Sequence, residues 1–283
     1  MGVSAGPARI EAELDGRGRT VLPVLAGAGP VALRQWRRPP PGEPAEVAMV
    51  GSMAGPLGGD RYGVRVTVGP GARLRVTSVA ATVSLPGDGP AHCTLELSVA
   101  PGGLLDWRPE PVVAAAGSHL LLETRVELAA GAALLLREEQ VLGRRHDWTS
   151  GAGPGRLTAT LTVRQDGVEI LAQQTDLGPG APGWDGPAVL GPHRALGQLL
   201  AVHRPLHPPE EEAAPDGGAV LLTLPGSGAR LLTALAPDAL LLRRLLTGRE
   251  GPAHREADGT GATQRQAQPA CAGRLPRLSS EAR

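Results

Sequence analysis

Four stretches between residues 62 and 177 alternate apolar and polar side chains, and that period of two confines them to β-strands with one face toward a core. Val64, Val66 and Val68 alternate with Arg65 and Thr67. Cys93, Leu95, Leu97 and Val99 alternate with Thr94, Glu96 and Ser98. Leu122, Thr124, Val126 and Leu128 alternate with Glu123, Arg125 and Glu127; Leu157, Ala159, Leu161 and Val163 alternate with Thr158, Thr160 and Thr162. Glycines and prolines fall between these runs, where turns need them. A repeat overlies the alternation. Val68-Gly-Pro-Gly-Ala-Arg-Leu74 returns about 31 residues later as Val99-Ala-Pro-Gly-Gly-Leu-Leu105, and about 29 residues after that as Leu128-Ala-Ala-Gly-Ala-Ala-Leu134. A strand–Gly turn–strand unit at this spacing predicts an all-β, β-helix-like stack of coils, each burying its apolar face on the next. A β-sandwich with evenly spaced hairpins satisfies the same spacing, and both architectures stay open at this level.

The flanks add shorter elements. Strands are predicted around Ala8 to Leu14 and Thr20 to Leu25, followed by a turn at Pro39-Pro40-Pro41. Residues 178–192 read as a Gly/Pro-rich loop, and 194–203 as strand or helix. His207 to Gly218 reads as a surface loop or short helix, and Ala219 to Leu224 and Arg230 to Leu235 as strands. Pro237-Asp238 opens a helix over Ala239 to Thr247, with Arg243 and Arg244 near its C-terminal end and Gly248 as a stop. The expectation is one mainly β domain over 1–248 with one or two helices. Residues 249–283 are polar and aperiodic, which predicts a disordered tail.

Composition closes several routes. The chain carries 28 basic and 28 acidic residues, without the basic excess of a nucleic-acid binder. It has no lysine, which removes Schiff-base and P-loop chemistry. Its two cysteines, Cys93 and Cys271, build neither a disulfide framework nor a Cys-rich metal site, and Cys93 is expected to be a buried free thiol. No basic-then-apolar start is present, and the longest apolar runs, such as Leu128 to Leu136, fall well short of the roughly 18 residues of a membrane span. A cytoplasmic protein that contacts no membrane is expected.

Few residues signal chemistry. His146-Asp147 reads as a charged loop rather than an acid–base pair, because adjacent strand residues point to opposite faces. Ser150 lacks the G-x-S-x-G frame of a nucleophile elbow, and the seven histidines show no ligand spacing. The carboxylates say more. Glu138-Glu139 close the apolar run Leu134-Leu135-Leu136, and burying a carboxylate requires a partner or internal water. Arg137 and Arg144 are the local candidates for pairing. One reading is a structural salt bridge or an exposed face; the other is a wet cavity that a divalent metal crosses on loosely binding oxygen ligands. Gly58-Gly59-Asp60-Arg61 reads as a tight turn or a close backbone approach, with Asp60 bonding turn amides.

Three segments taken in order resemble the urease accessory protein UreD family, called UreH in some organisms. They are Met49-Val50-Gly51 through Pro56-Leu57-Gly58-Gly59-Asp60-Arg61, then Ala72 to Thr82, then Leu105-Asp106-Trp107-Arg108-Pro109-Glu110-Pro111 continuing through Glu138-Glu139 to Gly143-Arg144. The likeness runs from about residue 5 to 248. It implies an elongated β-helix-like fold without enzymatic activity. It implies a scaffold that joins UreF and the GTPase UreG on apo-urease subunits and helps deliver nickel, with an internal water-filled tunnel as the path. By the same resemblance Asp60, Glu138 and Glu139 are acidic residues of that path, nickel is in transit with no tightly bound cofactor, and Gly143-Arg144 shapes a turn. The chain departs from the family where Gln173-Gln174 replaces an acidic position, where Ser84-Leu85 replaces Tyr-Arg, and where Leu and Val replace aromatics. Two further functions fit the sequence: a hydrolase with a Ser/His/Asp set drawn from separate strands, and a protein- or carbohydrate-binding β module. Sparse aromatics argue against sugar stacking.

Overall fold

A computed structural model describes residues 2–207 and 217–247. The chain begins with a hairpin, β1 (Ala8–Leu14) and β2 (Thr20–Ala26), then crosses to β3 (Val31–Gln35) and β4 (Ala45–Gly51). Regular coils follow. β5 (Arg61–Val68), β6 (Arg73–Ser78) and β7 (Thr82–Ser84) make the first; β8 (Ala91–Val99), β9 (Leu104–Arg108) and β10 (Val112–Ala114) the second; β11 (His119–Leu128) and β12 (Ala133–Leu142) the third. A short helix α1 (Arg145–Thr149) leads to β13 (Arg156–Gln165), β14 (Val168–Leu177) and β15 (Ala195–Val202). β16 (Gly218–Thr223), β17 (Arg230–Ala236) and α2 (Ala239–Thr247) end the described chain.

The strands form two facing sheets. The first is ordered β14-β13-β11-β8-β5-β1-β2 and the second β16-β17-β15-β12-β9-β6-β4-β3, with β7 and β10 as a short side strip. The sequence repeat is the pairing register. Val68 lies opposite Val99, and Val99 opposite Leu128. Leu74 lies opposite Leu105, and Leu105 opposite Leu134. All four pairings are parallel, whereas successive hairpins would pair antiparallel, so the stacked coil holds and the plain sandwich does not. At the bends, Gly71, Gly102 and Gly131 share φ values of +67°, +66° and +69°, which glycine adopts without strain. Each bend closes on itself, as in Ala72 N–H to Gly69 O at 3.1 Å. Each also bonds to the next, as in Ala100 N–H to Val68 O at 2.8 Å.

Ile10, Val66, Leu97 and Val126 of the first sheet meet Val47, Leu74, Leu105 and Leu134 of the second in one buried core. A separate cluster on the outer side of the second sheet seats α2 through Leu242, Leu245 and Leu246. Gly197 makes room for it, since a Cβ there would lie 2.7 Å from Leu246 Cδ1. Asp238 caps the helix by accepting the Leu241 N–H at 2.8 Å.

Two local expectations change. Residues 194–203, open between strand and helix, hold strand β15. His146-Asp147, expected in a loop, lies in α1; Asp147 is buried and accepts the backbone N–H of Arg144 and Ala116, which starts the helix. The expected tail, Cys271 and most of the 207–218 segment lie outside the described residues.

Candidate functional site: a cavity between the sheets

The two sheets part near the β9–β10 corner and enclose a cavity of about 490 Å³. Its wall is mostly apolar, with Met49, Val64, Leu95, Trp107 and Leu122 among the lining residues. Polar groups gather on β12, where Glu138 and Gln140 share the inward face two residues apart. The Glu138 carboxyl ties the sheets together. Its Oε1 accepts Thr124 Oγ1 of the first sheet at 2.8 Å, and its Oε2 accepts Gln198 Nε2 of the second at 2.6 Å. Gln198 in turn accepts Gln173 Nε2 from β14. Both groups that hold Glu138 are neutral. Burial pushes its carboxyl above the ordinary range, with the two hydrogen bonds opposing. Beside it the buried Gln140 Oε1 has no hydrogen-bond partner.

This arrangement predicts a pH signature. Glu138 takes a proton more readily folded than unfolded, so the folded chain holds more protons as pH rises above the ordinary value. Stability then falls through that window and levels off above the folded value. Glu138→Gln removes the titration, and turning over the Gln198 and Gln173 amides restores the hydrogen bonds. The variant is expected to be more stable than the parent at pH 8 by about 1–2 kcal/mol. The gain should shrink toward pH 5 in urea unfolding. A difference independent of pH would mean that the carboxyl does not change charge.

Cys93 also faces the cavity and is half-buried. Burial pushes its thiol up to about 11, against a smaller opposing hydrogen bond from Tyr62. It is protonated at neutral pH, which makes it a poor nucleophile and a poor metal ligand.

Glu139 points the other way. Its side chain is 0% exposed and faces α2. Arg243 donates to it from Nε at 2.6 and 2.9 Å, and to Glu110 from Nη1 and Nη2 at 3.2 and 3.1 Å. Arg137 Nε lies 3.8 Å from Glu139 Oε1. Of the two local arginines, only Arg137 approaches Glu139. Arg144 instead clamps Asp147, which holds the Asp147 carboxyl well below the usual carboxylate range.

Asp60 sits in a turn. Its Oδ1 accepts the Val3 N–H at 2.7 Å and its Oδ2 accepts the Leu57 N–H at 2.8 Å. Gly59, at φ +91°, supplies the turn conformation, and Gly58 packs directly on Gly87. The three sequence-predicted acids therefore do not converge. Asp60 ties backbone, Glu138 bridges the sheets, and Glu139 anchors a helix. Among the described residues no three His, Cys, Asp or Glu side chains group as a metal site would.

Comparison with known proteins decides the family. The family model described as "UreD urease accessory protein" matches residues 5–275. The chain belongs to the UreD family. "Urease accessory protein UreD" of Streptomyces avermitilis is 54% identical over 242 residues, covering 84% of this chain and 93% of that one. The Streptomyces coelicolor protein of the same name is 53% identical over 246 residues, covering 85% and 93%. One from Frankia casuarinae is 42% identical over 287 residues, covering 87% of each. This member of the family is a stack of β coils whose inner space carries a carboxyl held by neutral groups. No described helix is long and apolar enough to cross a membrane. Gln198 and Arg243, the partners that define Glu138 and Glu139, carry no mark in the sequence beyond a polar residue in an apolar strand and an arginine on a Leu-rich helix.

Proposed function

We propose that this chain is a non-catalytic, cytoplasmic scaffold for urease maturation. It joins UreF and the GTPase UreG on the apo-urease subunits, and nickel crosses the space between its sheets on the way to the enzyme. The observation that carries this reading is the inward Glu138 carboxyl, with Gln140 on the same face of β12, in a mostly apolar cavity. Oxygen donors of this kind hold a divalent ion weakly, and a path needs release as much as binding. Asp60 and Glu139 enter as further acids of the path. In the geometry described they are engaged by amides and by Arg243, so they would have to exchange partners during passage.

Family membership supports the maturation role. The test is co-expression with UreF, UreG and urease subunits. Stable co-purification is expected, and its absence would sink the scaffold. Asp60→Ala with Glu138→Ala should lower the nickel content of urease several-fold while the complex still assembles. Full nickel loading in that double variant would reject the path.

A further inference from the structure

β12 changes neighbours partway along. Its residues 133–136 pair with β9, and residues 140–142 pair with β10. Between them Glu138 and Glu139 pair with neither strand on that side, where the chain runs Arg108-Pro109-Glu110-Pro111. The two prolines carry no N–H to continue the ladder. The second sheet is therefore interrupted at this corner. On the inner side of the interruption lies the cavity, whose wall includes Trp107, Pro109 and Glu138; Glu110 and Glu139 border it while their carboxylates reach Arg243 on the other side.

On the outer side charged side chains fill the gap. Arg137 Nη2 donates to Pro109 O at 3.3 Å. Arg243 reaches down from α2 and holds Glu139 and Glu110 together, one from each margin of the gap. Its guanidinium contributes positive charge where a cation would have to pass. Its own side chain is 27% exposed, so it stands between the corner and solvent. The rest of α2 is held by leucines, which a one-residue change at 243 does not touch.

We propose that Arg243 is the gate of this corner, closing the cavity toward the α2 side, and that its withdrawal opens a passage for a small cation lined by the Glu110 and Glu139 carboxylates. The cavity has another exposed margin at Met53 and Val79, which are 49% and 59% exposed. With the corner open, the space between the sheets becomes a through-path. The gate rests on the reading of the cavity as a cation route, but its opening can be measured without nickel or urease.

Cys93 provides the reporter, since it faces the cavity; because its thiol is mostly protonated, each rate is followed against pH and compared per thiolate, which separates access from ionisation. In the full chain carrying Cys271→Ser, its labelling rate would be followed with methanethiosulfonates bearing an ammonium or a sulfonate head. Arg243→Ala is expected to speed the ammonium reagent at least ten-fold and the sulfonate reagent far less, because the uncovered carboxylates attract one and repel the other. Arg243→Lys should stay near the parent rate. Glu110→Gln, which loosens the clamp from the other margin, should give a smaller rise with the same charge preference. An unchanged ammonium rate in Arg243→Ala would overturn the gate. So would an equal rise for both reagents, the mark of general loosening; if Arg243→Ala does not fold, the Glu110→Gln rates decide by the same criterion. Charge-selective labelling combined with normal nickel loading in Asp60→Ala/Glu138→Ala would keep the gate and reject the nickel path.

Discussion

Replacing Glu139 with Ala is expected to lower the unfolding free energy by about 3–5 kcal/mol, the usual cost of removing one partner from a buried ion pair. The carboxylate is wholly buried and takes hydrogen bonds from both Nε and Nη2 of Arg243. Arg243 stays charged without it, because guanidinium does not lose its proton under any ordinary condition. The variant would thus leave a cation against the sheet, held by the Glu110 carboxylate, which is 37% exposed. Arg137 would lose this nearby carboxylate and keep its bond to Pro109 O. For a domain of this size the loss corresponds to roughly 10 °C in thermal unfolding. Hydrogen exchange should show α2 opening first, since its remaining contacts are Leu242, Leu245 and Leu246 on β15 and β17. Glu139→Gln keeps one acceptor and should cost less than half as much. A loss below about 1 kcal/mol for the Ala variant would place it among exposed pairs. The leucines alone would then hold the helix.

The fold was legible in the sequence to the extent that register was written into it. Gly71, Gly102 and Gly131 recur at the spacing of one coil because each bend needs a positive φ at the same point, and the flanking Val and Leu recur because they stack. The choice between coil and sandwich was not legible, because strand direction leaves no trace in spacing. The buried carboxylates were legible too: two acids at the end of three leucines need partners. The partners were not, because lateral neighbours in a sheet come from far along the chain. Gln198 lies 60 residues from Glu138, and Arg243 lies 104 residues from Glu139. Helix α1, at five residues, is too short to display a 3.6-residue period and gave no signal beyond Asp147. Thr124 was a usable clue: a hydroxyl placed with the inward set of β11 marks where the interior turns polar.

Gly58→Ala is expected to cost about 3 kcal/mol, at the upper end of what overpacking usually costs. A Cβ at this position would lie 2.5 Å from the Gly89 carbonyl oxygen and 2.7 Å from Gly87 C and Cα. The obstruction is backbone, which cannot swing aside as a flexible side chain would. The contact is reciprocal, since a Cβ on Gly87 would lie 2.5 Å from Gly58 O. Making room means separating the 55–60 turn from the 85–90 turn. That movement strains the Gly58 N–H bond to Leu85 O at 3.1 Å, the Gly59 N–H bond to Pro90 O at 3.3 Å, and the Leu57–Leu85 bridge. Asp60 then loses its hold on Leu57 and Val3 together. Gly89→Ala is the control. Gly89 has φ +86°, and a methyl there would meet nothing within 4 Å, so the variant should lose only the left-handed penalty of about 1 kcal/mol. Thermal unfolding of the two variants separates contact from conformation, and equal losses would show that close approach at Gly58 is not what the motif requires. The ordering also bears on Asp60. A defect in nickel delivery caused by Gly58→Ala would come with a lowered melting temperature, whereas Asp60→Asn, which keeps one acceptor oxygen, tests the carboxylate itself.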